Sequence, residues 1–319
     1  MKRLKLSNIM LLIIFILISS CSGISTINKQ KSSENVTQKQ NGPSVKHMIV
    51  HPGMAVFTKF DLPTYVKQTP VLKCGEKEYE YYTQNQKALV VLGVGYFTKD
   101  LQQDCYWKAP NYEQKIATIQ ILPYKFPAAR IHVDKKRVFL SKKDLARVKR
   151  ERAMLQQIYD DSSSAPFFTE AFLSPLESVI TSPYGERRIF NNKKKSYHLG
   201  IDFRARIGKP IRLSNDGKVV FAGDLFYTGN TVIVDHGMNI FTVYGHMSEL
   251  KTQTGDFLHK GDIVGLAGMT GRSSGPHLHW GVKLHKEWIN GFTLINASHV
   301  LQAELIKERD KSQNLVQDK

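Results

Sequence analysis

The stretch Gly271-Arg-Ser-Ser-Gly-Pro-His-Leu-His-Trp280 decides how the C-terminal part of this chain folds and what it can bind. His277 and His279 are two residues apart, and Val282 and Leu284 continue an apolar alternation beyond them. This period predicts a β-strand on which both imidazoles project from the same face. Two closely spaced histidines supply two of the ligands in many zinc sites.

Two further segments carry groups of the same chemistry. His198-Leu-Gly-Ile-Asp202 places a histidine and a carboxylate four residues apart, a spacing that puts both on one face of a strand. Gly200 and Ile201 between them argue against a helix. His246 follows in Thr242-Val-Tyr-Gly-His-Met247. The candidate metal-binding and catalytic groups are therefore four histidines and one aspartate.

The motifs His-x-x-x-Asp, Tyr-x-His and Gly-Pro-His-Leu-His, in this order, resemble those of the lysostaphin-like (LytM-type) zinc endopeptidases. That family cuts the peptide cross-links of bacterial peptidoglycan. The resemblance covers about residues 178–295, under half of the chain. It implies a mainly antiparallel β domain with a zinc groove across its sheet.

The resemblance also implies a role for each of these groups. His198, Asp202 and His279 would hold one zinc ion per chain, since a catalytic zinc takes three protein ligands and lowers the pKa of a bound water to about 7. His246 and His277 would remain unligated and catalytic. Either could accept a proton or stabilise the oxyanion of the intermediate, and the motifs leave open which does which.

The chain begins like a secretory signal, with three basic residues, an apolar run from Ile9 to Ile18 and small residues before Cys21. The run is shorter than the ~20 apolar residues that span a bilayer. Ile18-Ser-Ser-Cys21 resembles the bacterial lipoprotein cleavage box. We therefore expect residues 1–20 to be removed and the lipidated Cys21 to anchor the protein in a membrane.

The net positive charge of the chain indicates which kinds of macromolecule it can bind. The formal net charge is +17, and removing the three basic residues of the signal leaves 17 − 3 = +14. No nucleic-acid-binding motif is present, and an exported chain rarely meets nucleic acid, so no nucleic-acid partner is expected. Anionic phospholipid and peptidoglycan stem peptides fit this charge, although a lysine-rich surface can also serve solubility alone.

The remaining cysteines are expected to pair. Lipidation of Cys21 leaves Cys74 and Cys105, an even number in an exported chain. A disulfide between them would add about 3–4 kcal/mol of stability in the chain-entropy model. Two free buried thiols are the alternative.

Patterning predicts a mainly β protein with one connecting helix. Ser141-Lys-Lys-Asp144 is a capping box, and an apolar stripe from Leu145 to Tyr159 should dock on a neighbouring domain. Alternating runs between Pro, Gly, Asn and Asp signals predict a small sandwich-like β domain upstream. The predicted order is a tether at 21–47, the N-terminal β domain at 48–140, helix and linker at 141–164, the zinc peptidase domain at 165–297 and a polar tail at 298–319.

A cationic run precedes His198. Arg187, Arg188 and Lys193–Lys195 lie in an Asn-containing segment at the expected rim of the groove. A solvated charged face is the simpler interpretation, and a subsite for a stem-peptide carboxylate is the alternative.

The sequence thus favours a membrane-anchored zinc endopeptidase of the cell wall. A catalytically inactive binding module that activates other wall hydrolases and a zinc peptidase acting on proteins or peptides are the alternatives. The expected location is the cell envelope, on an outer membrane facing the periplasm. The expected bond is D-Ala–diaminopimelate, or Gly–Gly in a Gram-positive cell. The N-terminal domain is expected to space the groove from the membrane, or else to cover it until a protein regulator acts.

Overall fold

The computed structural model describes residues 44–64, 66–131, 140–191 and 194–302. The predicted signal peptide, Cys21 and most of the predicted tether lie outside these ranges. The described residues belong to one compact unit. None of their helices combines the length and the apolar character needed to cross a lipid bilayer.

The first part of the described chain is a two-sheet β region, as the patterning predicts. Strands β1, β8, β7, β3 and β4 form one sheet in that order, and β2, β6 and β5 form another. β1 runs parallel to β8, and the other neighbours in these sheets are antiparallel. The strands are β1 (Lys46–Val50), β2 (Ala55–Asp61), β3 (Val71–Cys74), β4 (Lys77–Tyr79), β5 (Tyr82–Gln84), β6 (Lys87–Gly93), β7 (Gln102–Ala109), β8 (Tyr112–Ile121) and β9 (Ala128–Ile131).

The expected disulfide cross-links two strands in the core of this region. Cys74 and Cys105 lie directly opposite each other on β3 and β7, with their Cα atoms 4.0 Å apart, and their sulfur atoms are bonded. Both are buried beside Leu72, Val90 and Trp107. Polar residues interrupt the apolar alternation of β3 and β7, so local patterning alone does not mark these two segments as strands.

The predicted helix, α1 (Lys142–Asp160), is present and begins as expected. The Ser141 hydroxyl accepts a hydrogen bond from Asp144 N at 3.1 Å. Its docked face differs from the predicted stripe: Tyr159 is buried against Phe241, but Leu145 is 55% exposed. Its apolar contacts with the following sheet come from Leu155 and Tyr159, while its earlier turns make polar contacts through Arg147 and Glu151. Leu145 therefore remains at the surface.

The second part of the chain is built on a ten-stranded sheet. Its main path runs β10-β13-β20-β17-β16-β15-β18, with β14, β19 and β21 paired alongside. A helix, α2, covers the described residues 291–302 and crosses the predicted boundary between residues 297 and 298. β11 and β12 lie outside this sheet and form a three-stranded sheet with β9. The strands of the second part are β10 (Ile180–Ser182), β11 (Arg187–Phe190), β12 (Lys194–Tyr197), β13 (Ile201–Arg204), β14 (Pro210–Arg212), β15 (Gly217–Leu225), β16 (Gly229–Asp235), β17 (Ile240–Leu250), β18 (Phe257–Leu258), β19 (Ile263–Ala267), β20 (His277–Leu284) and β21 (Glu287–Ile289).

The two parts of the chain are joined by direct packing. Phe57 and Val91 of the first part belong to the same buried cluster as the core of the ten-stranded sheet. At Gly93 the backbone comes so close that an added Cβ would lie 2.8 Å from Cδ2 of Leu284. Strand β9 pairs in parallel with β11 of the second part. Hydrogen bonds and core contacts therefore cross the residue-140 boundary; the domain assignment itself stays a prediction.

His236 is a buried histidine in the turn between β16 and β17. Its Nδ1 donates to the carbonyl of Asp216 at 2.7 Å, and its Nε2 accepts from the hydroxyl of Thr242 at 2.7 Å. The side chain is fully buried against Phe172. Burial lowers the pKa of His236 to about 4, so the ring is neutral in the folded protein at neutral pH.

This buried ring predicts a loss of stability in mild acid. Below pH ~6.5 the unfolded chain protonates His236 while the folded protein does not, so stability falls as the pH drops toward ~4. His236→Asn keeps a donor for Asp216 but does not titrate. Between about pH 7.5 and about pH 5 the wild type should lose about 2 kcal/mol more than this variant. Urea unfolding with a chelator present measures both; equal losses would contradict the prediction.

Candidate active site

The two histidines of the opening motif lie on β20, at the centre of the large sheet. β20 is flanked by β13 and β17, and in this register His279 faces Asp202 directly across the strand pair. Leu278 and Trp280 are buried on the opposite face. The predicted alternation, with both imidazoles on one side of a strand, is confirmed.

His198 is positioned differently from the prediction. It lies in the connection between β12 and β13, so residues 198–202 are not one strand. The chain turns at Gly200, where an added Cβ would lie 2.4 Å from Cε1 of His279 and 2.9 Å from the carbonyl of Trp280. Glycine is required there because the His279 ring occupies the space. The turn still brings His198 Nε2 to 2.9 Å from Asp202 Oδ1.

Three groups converge on one point of the groove. Oδ1 of Asp202 lies 2.9 Å from both His198 Nε2 and His279 Nδ1, and these two nitrogens are 3.2 Å apart. Among the described residues this is the one group of three or more His, Cys, Asp or Glu with metal-binding spacing. His198 Nδ1 donates to the carbonyl of Pro183 at 3.1 Å, which leaves Nε2 with a lone pair toward the cluster.

The electrostatics suit ligands that must be deprotonated. Burial raises the pKa of Asp202, but the adjacent imidazoles of His198 and His279 outweigh this effect and hold that pKa well below its usual range. Burial lowers the pKa of His279, against the opposing effect of Asp202. Asp202 is therefore a carboxylate and His279 a neutral imidazole at neutral pH, which are the forms that bind a metal ion.

His246 and His277 flank the cluster without being part of it. Their ring centroids are 4.5 Å apart, and Nε2 of His277 is 3.7 Å from Oδ1 of Asp202. His246 Nδ1 lies 2.7 Å from the carbonyl of Thr270, and His277 Nδ1 lies 2.8 Å from that of Gly275. A carbonyl only accepts, so in the neutral form of each ring Nδ1 carries the proton and Nε2 keeps the lone pair.

His246 occupies an unusual backbone conformation that the sequence did not reveal. Its φ is +63°, which for a non-glycine residue costs on the order of 1–3 kcal/mol. Its amide donates to the carbonyl of Thr228 at 2.6 Å, and its ring to Thr270. These two threonines therefore fix where the imidazole lies. The sequence does not predict that Thr228 and Thr270 position His246, because these residues lie in separate segments of the chain.

The cluster opens into a groove of about 1390 Å³. One wall is formed by Phe226 to Thr228, and another by the segment from Arg272 to Pro276. Ala129 of β9 and Leu140 before α1 also line it, so the segment upstream of the peptidase region contributes to the groove. A groove of this kind can receive an extended chain beside the five polar groups.

The model of peptidase family M23 matches residues 196–291, the range that holds all five candidate residues. The DD-carboxypeptidase/endopeptidase Mpg of Neisseria meningitidis is 36% identical over 111 residues, which cover 35% of this chain and 26% of that protein. The peptidoglycan DD-endopeptidase ShyA of Vibrio cholerae is 38% identical over 109 residues, which cover 33% of this chain and 25% of that protein. The chain thus spans about a quarter of the length of these two relatives.

A crystal structure from Pseudomonas aeruginosa assigned to peptidase M23 has a TM-score of 0.58 and 24% identity, over 77% of this chain and 95% of that chain. At this identity the likeness concerns the fold, and it extends beyond the range of the family match. The motif order, the convergent site and the family match agree. The C-terminal part of this chain is therefore a domain of peptidase family M23, the lysostaphin-like peptidases.

Proposed function

We propose that this protein is a membrane-anchored zinc endopeptidase that hydrolyses peptide cross-links of bacterial peptidoglycan. The observation that carries the proposal is the convergence of His198, Asp202 and His279, with two further histidines beside them. An inactive binding module of this fold would not need to maintain all five groups in one groove.

The donor set fits zinc. Two imidazoles and one carboxylate are ligands that zinc accepts, and their ligand atoms all lie within 4.8 Å of one another. Three protein ligands leave a coordination position open, as in other catalytic zinc sites. When bound, zinc would lower the pKa of a water molecule to about 7 and polarise the scissile carbonyl.

The protein's own contribution to hydrolysis would come from His246 and His277. Each presents the unprotonated Nε2 of a ring whose Nδ1 is held by a backbone carbonyl. Such a nitrogen can accept a proton from the attacking water and return it to the leaving amine. In its protonated form it can donate a hydrogen bond to the oxyanion of the tetrahedral intermediate.

The substrate we propose is the D-Ala–diaminopimelate cross-link. The names of the two relatives, a DD-carboxypeptidase/endopeptidase and a peptidoglycan DD-endopeptidase, support this choice. The net positive charge also suits a wall polymer that carries peptide carboxylates.

The function is tested by digestion of purified wall. Zinc-loaded protein is incubated with diaminopimelate-type peptidoglycan and, in parallel, with pentaglycine-bridged peptidoglycan, and fragments are identified by mass spectrometry. Release of monomeric stem peptides from the first substrate supports the proposal. Cleavage of the pentaglycine-bridged substrate alone would mean that the scissile bond is Gly–Gly and not D-Ala–diaminopimelate. Binding without cleavage favours the inactive module, and cleavage restricted to a protein or antimicrobial peptide favours the third alternative.

We further propose that Cys21 anchors the protein in the outer membrane, facing the periplasm. The signal-like start and the lipoprotein box support the anchor, and the Cys74–Cys105 disulfide suits an oxidising compartment. Protein regulators that act on the groove would then meet it in the periplasm.

Replacing Cys21 with serine is expected to abolish lipidation. The variant should stay unprocessed or appear in the soluble fraction, since serine lacks the thiol that the acyl chains modify. Membrane fractionation with metabolic acyl labelling compares it with the wild type. A soluble, unlabelled wild type would refute the anchor.

A further inference from the structure

The two oxygens of Asp202 have different partners. Oδ1 lies within hydrogen-bond distance of His198 and His279, as described above. Oδ2 accepts a hydrogen bond from Nη2 of Arg188 at 3.3 Å. The Asp202 side chain is only 11% exposed, so Arg188 satisfies an oxygen that water reaches poorly. The carboxylate is thereby oriented with one oxygen toward the cluster.

Arg188 is itself held on several sides. Its Nε donates to Oε2 of Glu186 at 2.8 Å, and its Nη2 donates to the hydroxyl of Ser182 at 2.5 Å. That hydroxyl in turn donates to Glu186 at 2.8 Å. The guanidinium therefore has a defined position between two carboxylates of its own chain.

The backbone of Arg188 is fixed as well. Strand β11 is the middle strand of a three-stranded sheet, between β9 and β12. Arg188 is paired with Ser196 of β12 and with Ala129 of β9. β9 comes from upstream of α1, so a strand outside the family match holds the strand that carries this arginine in place.

The neighbouring arginine behaves differently. Arg187 alternates with Arg188 along β11 and is exposed, whereas Arg188 has 26% of its side chain exposed. The sequence left the cationic run as a solvated face or a subsite for a stem-peptide carboxylate. In the structure, Nε and Nη2 of Arg188 serve Glu186, Ser182 and Asp202, and both interpretations of the cationic run as a whole stay predictions.

We propose that Arg188 is a positioning residue for the metal ligand Asp202, and that Glu186 and Ser182 orient it for this task. This inference rests on the proposed function, since it concerns the metal that the cluster would bind. A carboxylate with one oxygen fixed by arginine offers a single oxygen to the ion in a constant direction. Loss of such an outer partner typically weakens metal affinity by about 10- to 100-fold.

The test compares Arg188→Gln with Arg187→Gln, a matched change on the same strand. Zinc affinity is measured by competition with a chromophoric chelator, and the visible spectrum of the cobalt-substituted protein reports the ligand geometry. We expect about 10- to 100-fold weaker binding and an altered spectrum for Arg188→Gln. Arg187→Gln should match the wild type in both. Arg188→Lys should fall between them, because one ammonium cannot reproduce the planar fork of arginine.

Glu186→Gln keeps the test decisive if Arg188→Gln does not fold. It retains the arginine but removes the charge that orients it, so a smaller loss of zinc affinity is expected. Wild-type affinity and an unchanged cobalt spectrum in the folded Arg188 and Glu186 variants would overturn the inference while leaving the proposed function intact. A wild-type protein that binds no metal would instead refute the proposed function.

Discussion

Replacing His279 with alanine is expected to strip the protein of its metal and abolish peptidoglycan hydrolysis. His279 Nδ1 is one of three ligand atoms, 2.9 Å from Asp202 Oδ1 and 3.2 Å from His198 Nε2. Loss of an outer partner alone costs about 10- to 100-fold in metal affinity, so loss of a ligand should cost more than about 100-fold. Zinc content measured by atomic absorption after gel filtration should fall from a stoichiometric amount toward zero.

The fold should survive this change, because β20 is held on both sides by β13 and β17. Far-UV circular dichroism and thermal unfolding without metal check this point. His259→Ala is the matched control, since the His259 side chain is 76% exposed and lies outside the cluster. Full zinc occupancy in a folded His279→Ala protein would refute the ligand assignment.

The residues of the metal cluster could be predicted because each lies in a short, local pattern. Alternation along β20 is visible in the sequence, and it alone places His277 and His279 on one face. The His198–Asp202 spacing also predicted proximity correctly, although the structure achieves it by a turn at Gly200 and not by a strand. The predicted strand and the observed turn agree on the ligands because a metal ion responds to the position and direction of the ligand atoms, whichever backbone conformation supplies them.

The features of the fold and of the site that the sequence did not predict depend on contacts between segments far apart in the chain. The pairing of β9 with β11 joins residues almost sixty positions apart, and no local pattern marks it. The proposed role of Arg188 depends on the position of β11 in that sheet and on the contact with Glu186. Neither is visible in the sequence, where Arg188 is only one of several neighbouring cationic residues. Likewise, the exposure of Leu145 on α1 depends on tertiary contacts, which are apolar at Leu155 and Tyr159 and polar at Arg147 and Glu151.

Replacing His246 or His277 is expected to leave the metal in place and remove most of the turnover. Asparagine is the informative substitution. At residue 246 it tolerates the left-handed backbone better than alanine, and its amide can still donate toward Thr270. At residue 277 it can donate toward Gly275. Each variant should lose about 10²- to 10⁴-fold in kcat, the range for general acid–base work, with zinc content unchanged.

The double variant shows whether the two rings act together. Their centroids are 4.5 Å apart, close enough to serve one proton transfer and one oxyanion in the same step. If so, the combined loss should be smaller than the product of the two single losses, since groups that act as a unit are not additive. His259→Asn, on an exposed ring, should leave kcat unchanged. Loss of zinc in either single variant would mean that a ligand had been taken for a catalyst, because a catalytic imidazole outside the coordination sphere does not hold the ion.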